Sequence, residues 1–214
     1  MKVTSILGFT LAAIASPAPN GGKDGGKGGS STKCANPQLA TFDDLVGVPA
    51  LSQINPVGTY KGLKYTSFNV LVQGVAGIIT TGIQPQSGVQ VAANGITDSV
   101  LNGAPALTPA SPYKAFSLSS LYFGCVINSL ESAAGVPQQC TIAVTAYLPG
   151  STVVYQTINQ QFNPASPLLS KMAKATFSSS WQKMGKISIA VVQSTTTSTL
   201  TGLLIDNLQY TLCK

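Results

Sequence analysis

Apolar and polar residues alternate over most of the chain that follows residue 40. Ile142, Val144 and Ala146 share one side of an extended segment, and the turn residues Pro149 and Gly150 follow it. A period of two is the pattern of a half-buried β-strand, and turn residues between such runs mark the strand ends. The sequence therefore predicts an all-β protein, specifically an antiparallel two-sheet β-sandwich of the jelly-roll type.

The predicted strands are the runs that are rich in β-branched and aromatic residues and bounded by turn residues. They cover residues 41–46, 63–72, 88–93, 115–127, 141–148, 152–162, 173–177, 187–193 and 200–212. A single helical turn is predicted around residues 168–174. Trp181 is the only tryptophan, and we expect it to lie in the core.

The first residues have the features of an export signal. Lys2 precedes a largely apolar run, and residues 13–15 fit a small-x-small cleavage pattern. Because this run is shorter than the roughly 20 residues that span a membrane, residues 1–18 are interpreted as a signal peptide. Residues 19–33 are rich in Gly, Lys and Ser, which predicts a flexible segment. Residues 34–214 are predicted to form a single domain of a secreted, extracellular or cell-wall-associated protein.

Four cysteines in an exported chain indicate two disulfides, for which three pairings are possible. We expect one bond between Cys34 and Cys213, which joins the two ends of the domain. We expect the other between Cys125 and Cys140, which closes a short loop between two strands. If both bonds form, no thiol is left to act as a nucleophile or a metal ligand.

The charged residues are few and of restricted type. Histidine and arginine are absent, and Glu131 is the only glutamate. The chain therefore has no imidazole to act as a general base and no guanidinium to bind an anion at two points. Half of the net charge of +6 lies before Cys34, and the rest is dispersed without a basic run between aromatic residues, so nucleic acid is not an expected partner. The composition favours binding over catalysis, and we predict no catalytic residue.

The order of several short motifs is similar to that of a known family. TFDDL at residues 41–45 is followed by GTYKGLKYTSF at 58–68 and FSLSSLYF at 116–123, and LIDNLQY at 204–210 lies near the end. This order resembles secreted fungal β-sandwich proteins of the galactose-binding-domain-like type, which are similar to carbohydrate-binding modules. The resemblance implies attachment to a glycan, sometimes with a structural calcium ion where the first and last strands meet.

Asp44 and Asp206 are predicted to lie in phase with apolar neighbours, where an unpaired charge is costly. A calcium ion would compensate these charges because it binds carboxylate, amide and carbonyl oxygens, and Asp43 and Asn207 are candidates to complete its shell. One alternative is that the acids cap turns or strand ends, with the alternation broken by a bulge. Another is that two carboxylates act as the acid and the nucleophile or base of a glycosidase.

The candidates for glycan binding are tyrosine, lysine and amide side chains in or near predicted loops. A tyrosine offers a flat apolar ring and a hydroxyl, and amides can hydrogen bond to sugar hydroxyls. The candidates are Tyr60, Tyr65, Tyr113, Lys61, Asn94 and Asn102.

These features together predict a secreted, non-catalytic module that binds a carbohydrate or cell-wall polymer in a shallow groove of tyrosine, asparagine and lysine. One alternative is an effector or adhesin-like module that binds a host or wall protein through an exposed apolar patch. A third, less favoured, is a glycan-active enzyme that uses a carboxylate pair.

Overall fold

The computed structural model describes residues 33–49, 55–73, 79–127, 135–194 and 201–214, which lie within one compact unit. The predicted signal peptide, and all of the predicted flexible segment except Lys33, lie outside the described residues. Within these ranges, no helix has the length and apolar character needed to cross a membrane.

Strands dominate the described part of the chain, which has one short helix, α1 (Ile96–Asn102). The strands are β1 (Cys34–Ala40), β2 (Pro56–Tyr60), β3 (Leu63–Val72), β4 (Gly82–Gln84), β5 (Gln90–Asn94), β6 (Ala106–Pro109), β7 (Ala115–Ile127), β8 (Val136–Pro137), β9 (Cys140–Tyr147), β10 (Val154–Phe162), β11 (Leu169–Lys171), β12 (Ala173–Thr176), β13 (Lys186–Ser194) and β14 (Thr201–Cys213). The all-β prediction is confirmed.

Twelve of these strands form one sheet, in which all the strand pairs are antiparallel. Nine of them follow the order β10-β9-β13-β6-β3-β5-β14-β7-β12. Beside this path, β1 pairs with β14, β2 with β3 and β8 with β7. Strands β4 and β11 form a separate parallel pair. Hydrogen bonds thus join these twelve strands into one sheet, where the sequence predicts two sheets.

The large sheet curls on itself around a single core. Phe123 of β7 and Phe162 of β10 lie near opposite ends of the strand order, yet their ring centroids are 6.3 Å apart. Trp181 is buried as predicted, with its ring 4.7 Å from that of Phe177. The alternation in β9 gives the sheet one face toward the core. Ile142, Val144 and Ala146 are buried on that face, while the residues between them are partly exposed.

Two predictions of local structure are wrong. Residues 41–46 form a turn instead of a strand, in which Phe42 has φ of 62° and the Leu45 amide donates to the Phe42 carbonyl at 3.0 Å. Asp43 and Asp44 lie inside this turn, where aspartate is common because its side chain hydrogen bonds locally. Residues 168–174 contain β11 and the start of β12 instead of a helical turn.

Several short strands have no signal in the sequence. Strand β1 contains Pro37 and exposes most of its side chains, so it shows no alternation. Proline is tolerated there because β1 lies beside the main path, at an edge where an amide hydrogen bond is not required. Strand β2 begins with Pro56, and β6 ends with Pro109.

Both predicted disulfides are present. Cys34–Cys213 joins β1 to β14 across 179 residues, and Cys125–Cys140 joins β7 to β9 across 15 residues. No cysteine is free. The first bond fixes the two ends of the domain side by side, and this position defines the site described next.

Candidate functional site

A groove of about 300 Å3 lies where the ends of β1 and β14 meet. Its lining residues are Lys33, Ala35, Asn36, Tyr113, Leu212 and Lys214, and we call it the Tyr113 groove. The backbones of Lys33 and Lys214 hold these two residues side by side. The Lys33 amide donates to the Lys214 carbonyl at 3.1 Å, and the Lys214 amide donates to the Lys33 carbonyl at 3.0 Å. The adjacent Cys34–Cys213 bond locks the same strands.

Tyr113 is half-buried, and its ring packs on the turn between β2 and β3. Gly62 makes this contact possible, because a Cβ there would lie 3.0 Å from the Tyr113 ring and 2.5 Å from the Leu212 side chain. Gly62 also has φ of +80°, a backbone conformation that favours glycine. The Tyr113 amide donates to the Ala110 carbonyl at 2.9 Å, which fixes the backbone behind the ring.

The Tyr113 hydroxyl lies at the end of a chain of side-chain hydrogen bonds. Gln38 Nε2 donates to Asn36 Oδ1 at 3.0 Å, and Asn36 Nδ2 donates to the Tyr113 hydroxyl at 2.9 Å. The hydroxyl accepts in this chain, so its own proton remains available for an acceptor in the groove. Lys214 Nζ lies 5.8 Å from the ring centroid, within the range of a cation–π interaction.

The Tyr113 groove combines a flat ring, an amide and ammonium groups in a shallow space. Such a mixture of apolar surface and a few placed polar groups is typical of small-ligand sites. Of the predicted glycan contacts, only Tyr113 lines this groove.

Two other predicted glycan contacts lie beside this groove. Lys61 precedes Gly62, and its Nζ donates to the Leu39 carbonyl at 2.7 Å and lies 5.1 Å from the Tyr60 ring centroid. Tyr60 is buried, and its hydroxyl donates to the Asp44 carboxylate. Burial is the main cause that raises the pKa of Tyr60 to about 12, and the hydrogen bond to Asp44 adds to the rise. The side chains of Lys61 and Tyr60 are thus engaged within the protein.

The remaining predicted glycan contacts lie away from any shared site. Tyr65 does not lie in a loop; it is buried in β3, with its ring packed edge-on against Phe42 and Phe68. Asn94 is also buried, and its Nδ2 donates to the Ser67 carbonyl at 2.7 Å. These positions correct the prediction for both residues, since neither can reach a glycan. Asn102 is exposed at the end of α1.

The predicted metal ligands divide between two places. Asp43, Asp206 and Asn207 meet around Ser87, and we call these four residues the Asp206 cluster. The Ser87 hydroxyl lies 2.8 Å from Asp43 Oδ2 and 2.7 Å from Asn207 Oδ1. Asp44 is not part of the cluster, because its carboxylate accepts the Tyr60 hydroxyl. That hydrogen bond is the main cause that lowers the pKa of Asp44.

Asp206 is fully buried in β14, next to a break in the strand register. Its Oδ2 accepts the amides of Gln86 and Ser87 at 2.8 and 3.0 Å, and its Oδ1 accepts the Asn207 amide at 2.7 Å. Burial raises the pKa of Asp206 to about 7 in spite of these bonds, and the charge of Asp43 adds to the rise. Asp206 lies in phase with the buried Leu204 and Leu208, and the register shift begins after it.

The Asp206 cluster has more oxygen acceptors than protons to fill them. Asp43 Oδ1 is buried without a hydrogen-bond partner, and the single Ser87 proton faces two acceptors. Gly88 closes the cluster from one side, since a Cβ there would lie 1.9 Å from Asp43 Oδ1. In the described ranges no three acidic or cysteine side chains converge, so a cation here would also need amide, hydroxyl or backbone oxygens.

The glycosidase alternative requires Asp44 or Asp206 beside another acid in an open cleft. Asp206 lies beside Asp43, but it is fully buried beneath the residues 86–88 that hydrogen bond to it or close the cluster. Asp44 is exposed, and its Oδ1 accepts the Tyr60 hydroxyl.

No protein-family model and no curated protein matches the chain. The assignment of function therefore depends on the geometry. The sequence reasoning missed Asn36, Lys33 and Lys214 as groove residues and Ser87 as a member of the Asp206 cluster. A signal for the two lysines did exist, because the predicted Cys34–Cys213 bond already places their neighbours side by side.

Proposed function

We propose that the chain is a secreted, non-catalytic module that binds a carbohydrate or cell-wall polymer in the Tyr113 groove. The observation that carries the proposal is the half-buried Tyr113 ring, whose hydroxyl accepts from Asn36 and retains a proton for a ligand. The resemblance to secreted fungal, carbohydrate-binding-module-like proteins supports the same function. Within this proposal, the two halves of the curled sheet correspond to the two layers of a jelly-roll sandwich.

The physical basis is the two-sided chemistry of a pyranose ring. Its apolar C–H face packs on an aromatic ring, while its hydroxyls need both donors and acceptors at the edge of that ring. Tyr113 offers the ring and a donor, and Leu212 and Ala35 add apolar surface. Because the disulfide and the strand pairing hold these groups in place, little conformational entropy is lost on binding.

The proposal predicts that Tyr113→Ala weakens retention on insoluble chitin, β-glucan or cellulose, whichever the protein binds, by about tenfold. A loss of this size corresponds to about 1.4 kcal/mol, as expected when one central aromatic contact is removed. Depletion from solution by increasing amounts of each polymer measures the effect. Tyr155→Ala is the matched control, because Tyr155 is an exposed tyrosine on β10, outside the groove.

Tyr113→Phe separates binding from folding, since it keeps the packing on Gly62 and removes only the hydroxyl. An unchanged melting temperature with intermediate retention would support a direct contact. Equal retention of the wild type, Tyr113→Ala and Tyr155→Ala on a polymer that binds the protein would contradict the assignment of the site.

A second candidate function, binding to a host or wall protein, is favoured by the β9–β10 hairpin. Its tip exposes Leu148, Val153, Val154 and Tyr155, with Val153 74% exposed. The Ser151 amide donates to the Leu148 carbonyl at 3.0 Å, so these apolar groups lie on an ordered turn. Exposed apolar clusters of this kind mark protein interfaces. Failure to bind any glycan would favour this function over the first.

We also propose that the Asp206 cluster binds a structural calcium ion. Calcium prefers several oxygen ligands, and Asp43 Oδ1, Asn207 Oδ1 and the Ser87 hydroxyl supply them beside Asp206. The unpartnered, buried Asp43 oxygen supports this assignment, because a buried acceptor without a partner is costly. A bound ion would join the turn at residues 42–45, the residues 86–88 and strand β14.

The proposal predicts that calcium raises the melting temperature at pH 7.5, where Asp206 is largely ionised. At a concentration a hundredfold above its dissociation constant, calcium adds about 2.7 kcal/mol. For a chain of this size that corresponds to a rise of about 5–10 °C over the same protein in chelator. Asp43→Asn should abolish the rise, and Asp44→Asn, the matched control, should preserve it. An identical melt with calcium and with chelator would remove the metal from the proposal.

A further inference from the structure

The described surface carries many more ammonium groups than carboxylates. Nine lysines lie in the described ranges, against four acidic residues. Asp98 and Asp206 are buried, Asp43 accepts the Ser87 hydroxyl and Asp44 accepts the Tyr60 hydroxyl. None of these hydrogen bonds involves a lysine, and eight of the nine described lysines are exposed to solvent.

Two of these lysines line the Tyr113 groove, and a third follows Tyr113 in the chain. Lys33 and Lys214 line it, and the Lys214 ammonium lies 5.8 Å from the Tyr113 ring centroid. Lys114 follows Tyr113 directly, its side chain is exposed, and its amide donates to the Cys213 carbonyl at 2.9 Å. The Lys33 and Lys214 backbones hydrogen bond to each other, so two cationic side chains line the groove, and Lys114 adds a third lysine next to Tyr113 in the chain.

We propose that the Tyr113 groove binds polysaccharides whose sugar units carry anionic groups in preference to neutral polysaccharides. This inference rests on the proposed function and names its ligand class. A sugar stacked on Tyr113 would place the charges of that unit and its neighbours near Lys33, Lys114 and Lys214. A lysine ammonium is a compact charge that pairs with carboxylate, sulfate or phosphate alike, so the shared chemistry is the anionic glycan.

The sharpest test compares two polymers with the same backbone, of which one carries neutral methyl esters where the other carries carboxylates. Pectin with its carboxylates methyl-esterified and the same pectin after de-esterification have the same backbone and sugar stereochemistry. We expect the de-esterified polymer to bind at least tenfold more tightly at about 0.05 M salt. The preference should shrink at about 0.5 M salt, because screening then acts over only a few Å. Dextran sulfate against dextran forms a second pair, which distinguishes sulfate from carboxylate.

Matched variants locate the charges that matter. Lys33→Gln/Lys114→Gln/Lys214→Gln removes the two cations of the groove and the lysine next to Tyr113, and we expect it to lose at least tenfold in affinity for de-esterified pectin. Lys171→Gln/Lys174→Gln/Lys186→Gln removes three exposed lysines elsewhere and lowers the net charge equally. We expect the second variant to lose less than threefold. Melting curves of both variants show whether each remains folded.

The outcomes separate this inference from the proposed function. Equal binding of the esterified and de-esterified polymers, reduced by Tyr113→Ala, would overturn the charge preference and leave glycan binding intact. Binding to no glycan at all would overturn both. Equal losses in the two lysine variants, or binding of polyglutamate and single-stranded DNA as tight as that of de-esterified pectin, would show attraction by general charge and overturn the inference.

Discussion

Replacing both Cys34 and Cys213 by alanine is expected to lower the free energy of unfolding by about 5 kcal/mol, from the loop-entropy relation for a bond that closes 179 residues. The Cys125–Cys140 bond closes only 15 residues, so replacing both of these cysteines by alanine is expected to lower the free energy of unfolding by about 3 kcal/mol. The Cys34–Cys213 bond closes the longer loop and restricts the unfolded chain more, so its loss is expected to cost more stability. Urea denaturation at 25 °C measures both values.

The two variants should also differ in glycan retention. Loss of Cys34–Cys213 releases the ends of β1 and β14, which hold Lys33, Asn36 and Lys214 in the Tyr113 groove, so retention should fall. Loss of Cys125–Cys140 should preserve it, because neither cysteine lines the groove. If the short bond proved the more important for stability, the unfolded chain would have to retain structure near Cys34 and Cys213, and the entropic account would be wrong.

Stability in metal-free buffer is expected to decrease as the pH rises from about 4 to about 7, by up to about 4 kcal/mol through Asp206. The pKa of Asp206 is about 7 in the folded protein and 3.8 for an exposed aspartate. Between these values the folded state holds a proton that the unfolded state has released. Raising the pH therefore favours unfolding in this window, and above pH 7 the dependence levels off.

Asp206→Asn should reduce the dependence of stability on pH between about 4 and 7. Urea denaturation at several pH values in chelator measures this dependence. Asp98, whose pKa is also raised by burial, contributes in the same direction, so the slope should not vanish. Asp44→Asn is the control. Its pKa is lowered in the folded state, so Asp44 stabilises the protein above its ordinary pKa and loses this effect only at lower pH. A wild-type stability that rises from pH 4 to pH 7 would contradict the role assigned to Asp206.

Much of the sheet could be predicted because burial imposes a period of two. Strand β3 (Leu63–Val72) and strand β7 (Ala115–Ile127) have the predicted bounds, since each carries enough buried apolar residues to mark its phase. Strand β1 escaped prediction because its side chains are largely exposed and its pairing depends on β14, far away in the chain. The turn at residues 42–45 escaped because two aspartates between apolar residues fit an alternating strand equally well.

The candidate sites were less predictable because residue type does not fix exposure. Tyr60, Tyr65 and Tyr113 lie in similar polar surroundings in the sequence, but two are buried and only Tyr113 is half-exposed. The packing of Phe42 between Tyr60 and Tyr65 determines this difference. Ser87 had no signal of its own, because a serine in a loop gives no indication of which carboxylates it faces.

By itself the sequence determined the all-β class, because alternation is a property of the chain that survives any arrangement of the strands, and it limited the four cysteines to three possible pairings, of which the expected one is present. The tertiary structure alone decided that twelve strands form one curled sheet, that Asp43 meets Asp206 while Asp44 meets Tyr60, and that Tyr113 shares a groove with Lys33 and Lys214. These pairings join residues up to about 160 positions apart. Their physical reason is that side-chain contacts between distant segments depend on how the whole core packs, which no local pattern records.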